Sequence, residues 1–393
     1  MKNAYIIAMA VVVIVIVIGS VFAYTYLTRS PTSAQATKLA AATLTGNGGT
    51  LVAPIMTNWI GAYQHIQPQI SITYNPVGSG QGVTDFVADG LGNFGESDAP
   101  MTTAQYAEVP SGSTVLTLPI TASAVVPAYR LPLTNGSYCK NGLNFTGPVL
   151  AAIFMGNITK WNDPQIQNLQ SPSVASVLPD TSILCVHRSD GSGTMFAFTD
   201  FLYDTSSAWA SKVGPPSTSS SIWPVIPNEV TEPKNAGVAG YISTTNYAIG
   251  PLEISYILEN PGETSLYYGT VENAAGNFIL ANDANIAATL QAGATAGLPA
   301  GNASWTTVSI IDNTYKDTTD TAIYPIVTMT YALVYEQQTN YAQGAALVNF
   351  FSWIVNSGQS YGLGEGYVAL PANIVAVDNA TLQMITYNNM PIA

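Results

Sequence analysis

Three segments of the sequence share one pattern, in which a strand-like run leads through a glycine-rich turn into a helix-like run. The segments are TGNGGTLVAPIMTNWIGAY, YNPVGSGQGVTDFV and SILCVHRSDGSGTMFAF, which begin at positions 45, 74 and 182. Strand-like and helix-like segments go on alternating along most of the chain, without an internal repeat. That order is typical of an α/β protein with largely parallel sheets.

Other segments predict particular elements. The apolar run GPVLAAIFMG and the longer run AALVNFFSWIVN are helix-like. The segment VLTLPITASAVVPAYR predicts two buried strands separated by Pro119. The pattern is weaker from about Pro251 to Asp320, where we expect one helix around Asn282 to Ala292 among loops and short strands.

The glycine-rich turns are suited to binding an anion. The first N–H groups of a helix have no partner inside the helix and carry partial positive charge. In the third segment Ser192 and Thr194 add hydroxyl donors, and Arg188 adds a forked cation that Asp190 can hold in place. One such turn alone more often caps a helix. Three of them in one α/β chain predict helix N-termini that converge on one anion.

The composition narrows the possible partners. Only 8% of the 393 residues are charged, the net charge is −13 and the pI is about 4.3. Since the chain has no basic stripe to bind phosphate groups of a polymer, we expect no nucleic-acid partner. Hydrophobic residues make up 47% of the chain, which is enough for a large core. A surface with so few titrating groups indicates an acidic exterior habitat.

The first residues bear on where the protein works. Ala4 to Leu27 form an apolar run without a charge, which is long enough to span a bilayer. Residues 1–27 therefore predict a membrane anchor, with a signal peptide cut after Ala23 as the alternative. Residues 28–43 are mostly small and polar and predict a flexible tether. Both alternatives place the body outside the cytoplasmic membrane.

Five N-x-Ser/Thr sequons are compatible with an exported glycoprotein. They begin at Asn135, Asn144, Asn157, Asn302 and Asn379.

Cysteine and histidine are scarce. Cys139 and Cys185 form no metal or redox motif, and the sequence leaves open whether they pair. The two histidines are His65, which we expect on a helix surface, and His187, which we expect beside the anion site. We therefore expect no metal and no cofactor. The chain therefore has few of the side chains that hydrolysis by a metal cluster or by an activated nucleophile requires.

The motifs together resemble those of the phosphate-binding receptors of ABC-type phosphate importers, the PstS-like substrate-binding proteins. The motifs that carry the resemblance are GNGGTLVAPIMTNWI, VGSGQGV, FGESDAPMT, MGNITKWNDPQI, VHRSDGSGTMFAFTDFL, YPIVTMTYALV and YVALP. They follow the family's order and cover most of the chain from Thr45 to about Pro371. The resemblance implies a two-lobed, periplasmic-binding-protein-like α/β fold with hinge strands. Lobe 1 would comprise residues 44–121 and 323–393, and lobe 2 residues 122–322.

The resemblance also implies which residues bind phosphate. They are Thr50, the backbone of Leu51, Ser79 and Asp98 from lobe 1, and Arg188, Ser192, Gly193 and Thr194 from lobe 2, with Asp190 positioning Arg188. Asp98 would accept a proton that phosphate carries and sulfate lacks, and would thereby reject sulfate. The chain departs from the family at Leu51, where Phe is common, and at Pro251 and Leu252, where Gly-Tyr-Val is usual.

The function implied is that of a receptor, not an enzyme. It would bind inorganic phosphate outside the cell membrane and deliver it to the membrane permease subunits of an ABC importer, held to the membrane by its N-terminal helix. Three alternatives stay open: a phosphatase on the same scaffold, a receptor for another tetrahedral oxyanion, and a structural surface-layer or adhesive protein.

Overall fold

The computed structural model describes residues 39–259 and 266–392. In these residues no helix combines the length and the apolar character that a bilayer crossing needs. The predicted anchor and most of the predicted tether lie outside the described residues. The first strand begins at Ala42, slightly before the predicted end of the tether.

Sixteen strands are present in the described residues. They are β1 Ala42–Gly48, β2 Ile70–Pro76, β3 Phe94–Ser97, β4 Val115–Arg130, β5 Asn144–Phe145, β6 Leu184–Arg188, β7 Glu229–Glu232, β8 Ala248–Glu253, β9 Tyr267–Tyr268, β10 Thr270–Glu272, β11 Phe278–Ile279, β12 Val327–Tyr335, β13 Gln337–Gln338, β14 Tyr367–Val368, β15 Thr386–Tyr387 and β16 Met390–Pro391.

The same residues contain fourteen α-helices and three short 3₁₀ turns. The helices are α1 Ala53–Ile66, α2 Ser79–Val87, α3 Thr103–Glu108, α4 Gly147–Phe154, α5 Pro164–Gln167, α6 Pro172–Ala175, α7 Gly193–Thr205, α8 Ser207–Lys212, α9 Lys234–Thr244, α10 Ser255–Leu258, α11 Asp283–Gly293, α12 Ile310–Thr314, α13 Tyr341–Asn356 and α14 Ala372–Leu382, and the 3₁₀ turns are Ser220–Ile222, Ala294–Ala296 and Gly358–Gly362.

Side-chain caps begin several of the helices that the sequence predicts. Thr146 caps α4 and accepts a hydrogen bond from the N–H of Val149. Asn282 caps α11 in the same way, which confirms the helix expected around Asn282 to Ala292. The same region also contains the short helices α10 and α12, which the sequence analysis did not predict. Asn340 caps the long helix α13, whose buried face is apolar. Each cap satisfies a helix N–H that would otherwise lack a partner.

One large mixed sheet runs through the body. The strand order is β2-β1-β3-β12-β4-β8-β6-β7, and β9 and β14 also pair with β4. The strands towards both ends of this order are parallel, as expected. The central strands β12 and β4 run antiparallel to their neighbours. The parallel strands all lead into turns and helices at their carboxyl ends, where ligands bind in open α/β sheets.

The predicted break at Pro119 is wrong. β4 is one strand of 16 residues, and Pro119 lies within it opposite Tyr331. The register between β4 and β12 shifts between Thr330 and Tyr331, so a bulge accommodates the proline. The first part of β4 pairs with β12, and from Val125 onward it pairs with β8. β4 therefore crosses from one half of the sheet to the other.

The hydrophobic core forms two large clusters. One surrounds β1, α1 and α13, and the other surrounds α4, α7 and β8. Along β4, Ile120 belongs to the first cluster and Ala122 to the second. We call the parts of the body around these clusters the first and the second lobe. Near the point where β4 crosses, the hydroxyl of Tyr324, just before β12, donates to the carbonyl of Val125 at 2.8 Å.

Two details of the sequence find a structural explanation. Pro251 lies inside β8 directly opposite Pro127 of β4. Because the two prolines face each other, the missing N–H groups fall at one position of the ladder and the strand continues. Cys139 and Cys185 are buried free thiols. Burial raises the pKa of the Cys185 thiol to about 12, so it stays protonated.

Candidate functional site

The first glycine turn connects β1 to α1 and contains Thr50. The hydroxyl oxygen of Thr50 accepts a hydrogen bond from Nη1 of Arg188 at 3.0 Å. Its carbonyl oxygen accepts from the hydroxyl of Tyr256 at 2.8 Å, and that of Leu51 accepts from the hydroxyl of Tyr367 at 2.6 Å. Thr50 and Leu51 are both buried. The turn is thus held in place by side chains that follow it by more than a hundred residues.

The second glycine turn places Ser79 at the first position of α2. Gly78 before it has φ = +101°, a conformation that favours glycine. The hydroxyl of Ser79 donates to Oδ2 of Asp98 at 3.0 Å and accepts from the N–H of Asp98 at 3.1 Å. Ser79 and Asp98 are therefore joined by two hydrogen bonds within the first lobe.

Asp98 follows β3 directly, as the sequence predicts. Its Oδ1 accepts from the hydroxyl of Thr330 at 2.7 Å, and its carbonyl accepts from the hydroxyl of Thr328 at 2.9 Å. Burial raises the pKa of Asp98, although hydrogen bonds from Thr330 and Ser79 and the charge of Arg188 oppose the shift.

Arg188 ends β6 and is the cation of the site. Its side chain is 1% exposed, and it is the one buried Lys or Arg in residues 39–259 and 266–392. Nε donates to Oδ1 of Asp190 at 2.7 Å, and Nη2 donates to Oδ2 of the same carboxylate. Nη1 donates to Thr50 and to Oδ1 of Asn235, both at 3.0 Å. Asp190 therefore positions the guanidinium as predicted.

The charge of Arg188 also affects its partner. Burial alone would raise the pKa of Asp190, but the hydrogen bonds and the charge of Arg188 outweigh burial and lower it. The N–H of Lys234 adds a further hydrogen bond to Asp190 at 3.0 Å. The aspartate is therefore ionised and fixes the fork.

The third glycine turn leads into α7. Ser192 is its N-cap, and its hydroxyl accepts from the N–H of Met195 at 3.3 Å. Gly193 is the first helical residue, and its N–H donates to the hydroxyl of Ser79 across the lobes at 3.3 Å. The hydroxyl of Thr194 lies 3.3 Å from Oδ1 of Asn235. The N-terminus of α7 thus points at the first lobe.

Glycine is required where the lobes meet. A methyl group on Gly193 would lie 2.4 Å from Cβ of Asp98. A methyl group on Gly80 would lie 3.2 Å from Cα of Gly191, and the N–H of Gly80 donates to the carbonyl of Gly191 at 3.3 Å. The lobes are therefore in direct backbone contact around the candidate site.

All the predicted site residues come together at this junction. Thr50, Ser79 and Asp98 lie on the first lobe, and Arg188, Asp190, Gly193 and Thr194 lie on the second. Two predicted residues have structural duties as well: Ser192 caps α7, and the side chain of Leu51 belongs to the first core cluster.

Sequence reasoning missed Asn235 and Glu96. Asn235 lies in the first turn of α9, where it bonds to both Arg188 and Thr194. Its segment runs from strand β7 through Pro233 into a helix, so it repeats the strand–turn–helix pattern without glycine. Glu96 is fully buried on β3, and its Oε2 accepts from the N–H of Gly49 at 2.6 Å.

The side chain of His187 contacts residues outside the hydrogen-bond network around the Arg188 guanidinium. Its Nδ1 lies 3.0 Å from the carbonyl of Arg188, and its Nε2 lies 3.0 Å from Oε1 of Glu229. The ring stacks on Trp223 with centroids 4.6 Å apart. His187 thus supports the strand that carries Arg188. His65 is exposed on α1, as expected.

Helix starts from two lobes meet around one buried guanidinium, which is how a ligand-binding protein of the two-lobed periplasmic type encloses an anion. Residues 32–357 match the family model described as "PBP superfamily domain". The chain is 32% identical to the phosphate-binding protein PstS of Xylella fastidiosa (strain 9a5c), over 88% of this chain and 86% of that protein. It is also 32% identical to the phosphate-binding protein PstS of Methanocaldococcus jannaschii, over 86% of this chain and 85% of that protein. The protein belongs to the PstS family of the PBP superfamily.

The fold agrees with a solved structure of a similar protein. The phosphate-binding protein of Stenotrophomonas maltophilia superposes with a TM-score of 0.64, at 18% identity, over 86% of this chain and 94% of that one. At this identity the likeness concerns the fold. The two-lobed α/β architecture expected from the sequence is therefore confirmed.

Proposed function

We propose that this protein is the receptor that binds inorganic phosphate between its lobes, outside the cytoplasmic membrane, and delivers it to the permease subunits of an ABC importer. The observation that carries the proposal is the buried Arg188, which Asp190 fixes on one lobe and whose remaining nitrogen reaches Thr50 on the other. A buried cation with donors around it suits an anion. Family membership supports phosphate as that anion.

In this proposal phosphate bridges the two lobes. Thr50, the N–H of Leu51 and Ser79 would donate from the first lobe, and Arg188 would donate from the second. Ser192, Gly193 and Thr194 would add the N-terminus of α7. Because the ligand contacts both lobes only when they are together, binding favours the closed arrangement. The direct bond from Arg188 to Thr50 marks where ligand oxygens would insert.

Asp98 gives the site its selectivity in this proposal. A carboxylate next to an anion is repulsive unless the ligand brings a proton. Monobasic and dibasic phosphate both carry one, whereas sulfate carries none at ordinary pH. A buried acceptor left without a donor costs about 1–3 kcal/mol, so Asp98 would exclude sulfate.

Titration calorimetry with phosphate and sulfate tests the proposal. We expect phosphate to bind with a dissociation constant of about micromolar or tighter, and sulfate at least about a hundredfold more weakly. Equal binding of both anions would favour a receptor for another oxyanion. No binding of either anion would overturn the proposal and favour a structural surface protein.

A phosphatase on the same scaffold is the alternative that predicts turnover. Of the described residues, Asp200, Asp204 and Asp312 are close enough together to hold a metal ion. None of them takes part in the hydrogen-bond network around Arg188. Release of phosphate from an ester substrate, assayed with added divalent metals, would support the phosphatase. We expect no turnover.

The position at the membrane is part of the proposal. We propose residues 1–27 as an anchor, residues 28–43 as a tether, residues 44–121 with 323–393 as lobe 1, and residues 122–322 as lobe 2. The sequons at Asn135, Asn157 and Asn302 are exposed and would be open to glycosylation. The amide of Asn144 instead donates to the carbonyl of Leu169 at 2.8 Å. Extraction of the full-length protein with alkali or with detergent distinguishes a soluble form from an anchored one.

A further inference from the structure

Glu96 places a second carboxyl group beside Asp98. The two residues are two positions apart on and just after β3, so their side chains project to the same face. Both flank Gly49: a methyl group on Gly49 would lie 2.3 Å from Oδ2 of Asp98 and 2.8 Å from Oε2 of Glu96. Both side chains are buried, with Glu96 0% and Asp98 1% exposed. Water therefore reaches neither of them.

The hydrogen bonds of Glu96 are incomplete. Oε2 accepts from the N–H of Gly49 at 2.6 Å and lies 2.7 Å from the hydroxyl of Tyr74. Oε1 is buried, and no N–H or O–H group of the described residues donates to it. An ionised carboxylate in such a place would leave a charged oxygen without water or donor, which is costly. A neutral acid at this place avoids that cost.

In residues 39–259 and 266–392, no cation forms an ion pair with Glu96. In the described residues, the titratable or charged groups that face the pair are Tyr74 from β2, Tyr256 from α10, Tyr331 from β12 and Arg188 from β6. Arg188 is committed to Asp190, and its charge acts on Asp98 rather than on Glu96. Two adjacent carboxylates without a cation of their own repel each other, so the pair retains one proton.

The geometry points to Glu96 as a neutral acid beside an ionised Asp98, a pair that carries one negative charge and limits tight phosphate binding to the pH range in which Glu96 keeps its proton. This inference rests on the proposed function. Glu96 acts as a specificity-determining neighbour of the site rather than as a ligand, because its carboxyl group binds the turn that carries Thr50. When Glu96 loses its proton, a second negative charge appears next to the anion and phosphate leaves.

The pKa shifts agree with this assignment. Burial is the largest cause and raises the pKa of Glu96 well above its usual value, and the charge of Asp98 raises it further. The side-chain hydrogen bond between the two acids raises the pKa of Glu96 and lowers that of Asp98. The proton therefore belongs to Glu96, and it is lost as the pH rises.

The test compares the full-length protein with the Glu96→Gln variant. The glutamine amide is an uncharged isostere of the acid, so it can accept from Gly49 and donate to Asp98 at every pH. We expect phosphate dissociation constants within about threefold of each other at about pH 5. At about pH 9 the wild type should bind at least about tenfold more weakly than the variant. The ionisation of phosphate itself affects both proteins equally, so it cancels in the ratio of their dissociation constants at a given pH.

Asp378→Asn is the matched control. Asp378 is a fully buried acid on α14 with no hydrogen-bond partner for either carboxyl oxygen, and it takes no part in the site network. Its removal should leave the pH profile of phosphate binding unchanged. If Glu96→Gln and the wild type have parallel profiles, Glu96 does not set the pH range and the inference fails.

Infrared spectroscopy without ligand separates this inference from the proposed function. At about pH 7 the spectrum of the wild type minus that of Glu96→Gln should contain the C=O stretch of one protonated carboxylic acid. Asp378→Asn should lose a similar band, which shows that the method detects a single buried acid. If the difference spectrum for Glu96→Gln lacks that band, Glu96 is ionised. That result overturns the inference, whether or not phosphate binds. Absence of phosphate binding with the band present overturns the proposed function instead.

Discussion

Arg188 should dominate the affinity at the residue scale. Replacement by alanine removes the single buried cation of the described residues and leaves Asp190 and Asp98 without its charge. Hydrogen bonds to charged groups contribute about 1.5–3 kcal/mol each, so we expect Arg188→Ala to weaken phosphate binding at least about a hundredfold. Ser79→Ala removes a neutral hydroxyl and should cost about tenfold or less. Calorimetry on both variants makes the comparison, and equal losses would contradict this role for Arg188.

Asp98 should control which anion binds. Asp98→Asn is nearly isosteric and keeps an oxygen for the hydroxyl of Thr330, which donates to Asp98 at 2.7 Å. The new amide can donate to a fully deprotonated oxyanion, so sulfate should bind at least about tenfold better than it does to the wild type. Competition between labelled phosphate and sulfate measures the change. Unaltered sulfate rejection would show that another group discriminates.

The sequence predicts residues whose partners are close along the chain. Arg188 and Asp190 are two positions apart before a glycine turn, so their pairing is foreseeable from local spacing. Asn235 bonds to Arg188 from 47 positions away and stands in no glycine motif, so only the fold brings it to the site. Glu96 is visible inside the motif FGESDAPMT, but the sequence does not indicate that it is fully buried beside Asp98. Burial and long-range pairing are properties of the packed chain.

At the element scale, helix starts were easier to predict than strand continuity. The caps Ser192 and Asn282 each precede a helix pattern, and local chemistry decides where those helices begin. Pro119 signals a break on local grounds, but the bulge opposite Tyr331 removes the need for its N–H. A register shift depends on the partner strand, which lies more than two hundred residues further along the chain.

The N-terminus of α7 can reach the first lobe because its first residue has no side chain. We expect Gly193→Ala to weaken phosphate binding at least about tenfold, since the methyl group would meet Cβ of Asp98 at 2.4 Å and keep the lobes apart. The isolated lobes need not be destabilised by this change. Small-angle scattering with and without phosphate should therefore detect an arrangement that no longer closes fully.

Gly240→Ala is the control for that prediction. Gly240 lies on the exposed side of α9, and a methyl group there would meet no atom within 4 Å. It should leave phosphate affinity unchanged and stabilise the helix by up to about 1 kcal/mol. If both alanine variants bind phosphate like the wild type, close approach at Gly193 is not needed for binding.

On the scale of the whole molecule, the structure buries acids in spite of its low charge content. Burial raises the pKa of Asp200 to about 7 and that of Glu253 to about 8. It raises the pKa of Asp378 as well, and Glu96 and Asp98 shift in the same direction. The pKa of the partly buried Asp190 shifts in the opposite direction, because Arg188 lowers it. The fold therefore holds protons that its unfolded chain would release near neutral pH.

Because most of these buried acids have raised pKa values, we expect the protein to be more stable at acidic than at neutral pH. Below about pH 4 the acids with raised pKa values are protonated in both the folded and the unfolded state, so the free energy of unfolding does not change with pH on their account. As the pH rises, the unfolded chain loses these protons first, while the folded protein keeps them up to pKa values near 7 or 8. The free energy of unfolding should therefore fall between about pH 5 and about pH 8, by at most about 1.4 kcal/mol per group and pH unit. Asp190 acts in the opposite sense and limits stability only at still lower pH.

Urea unfolding at about pH 5 and about pH 8 measures this fall. The midpoint should be higher at about pH 5, and Asp378→Asn should flatten the dependence because one proton-holding group is gone. A midpoint that rises with pH would mean that the buried acids, including Glu253 and Asp200, are ionised in the folded protein and would contradict this prediction. The expected profile agrees with the acidic exterior indicated by the composition, because a receptor of this design would be most stable where its buried acids keep their protons.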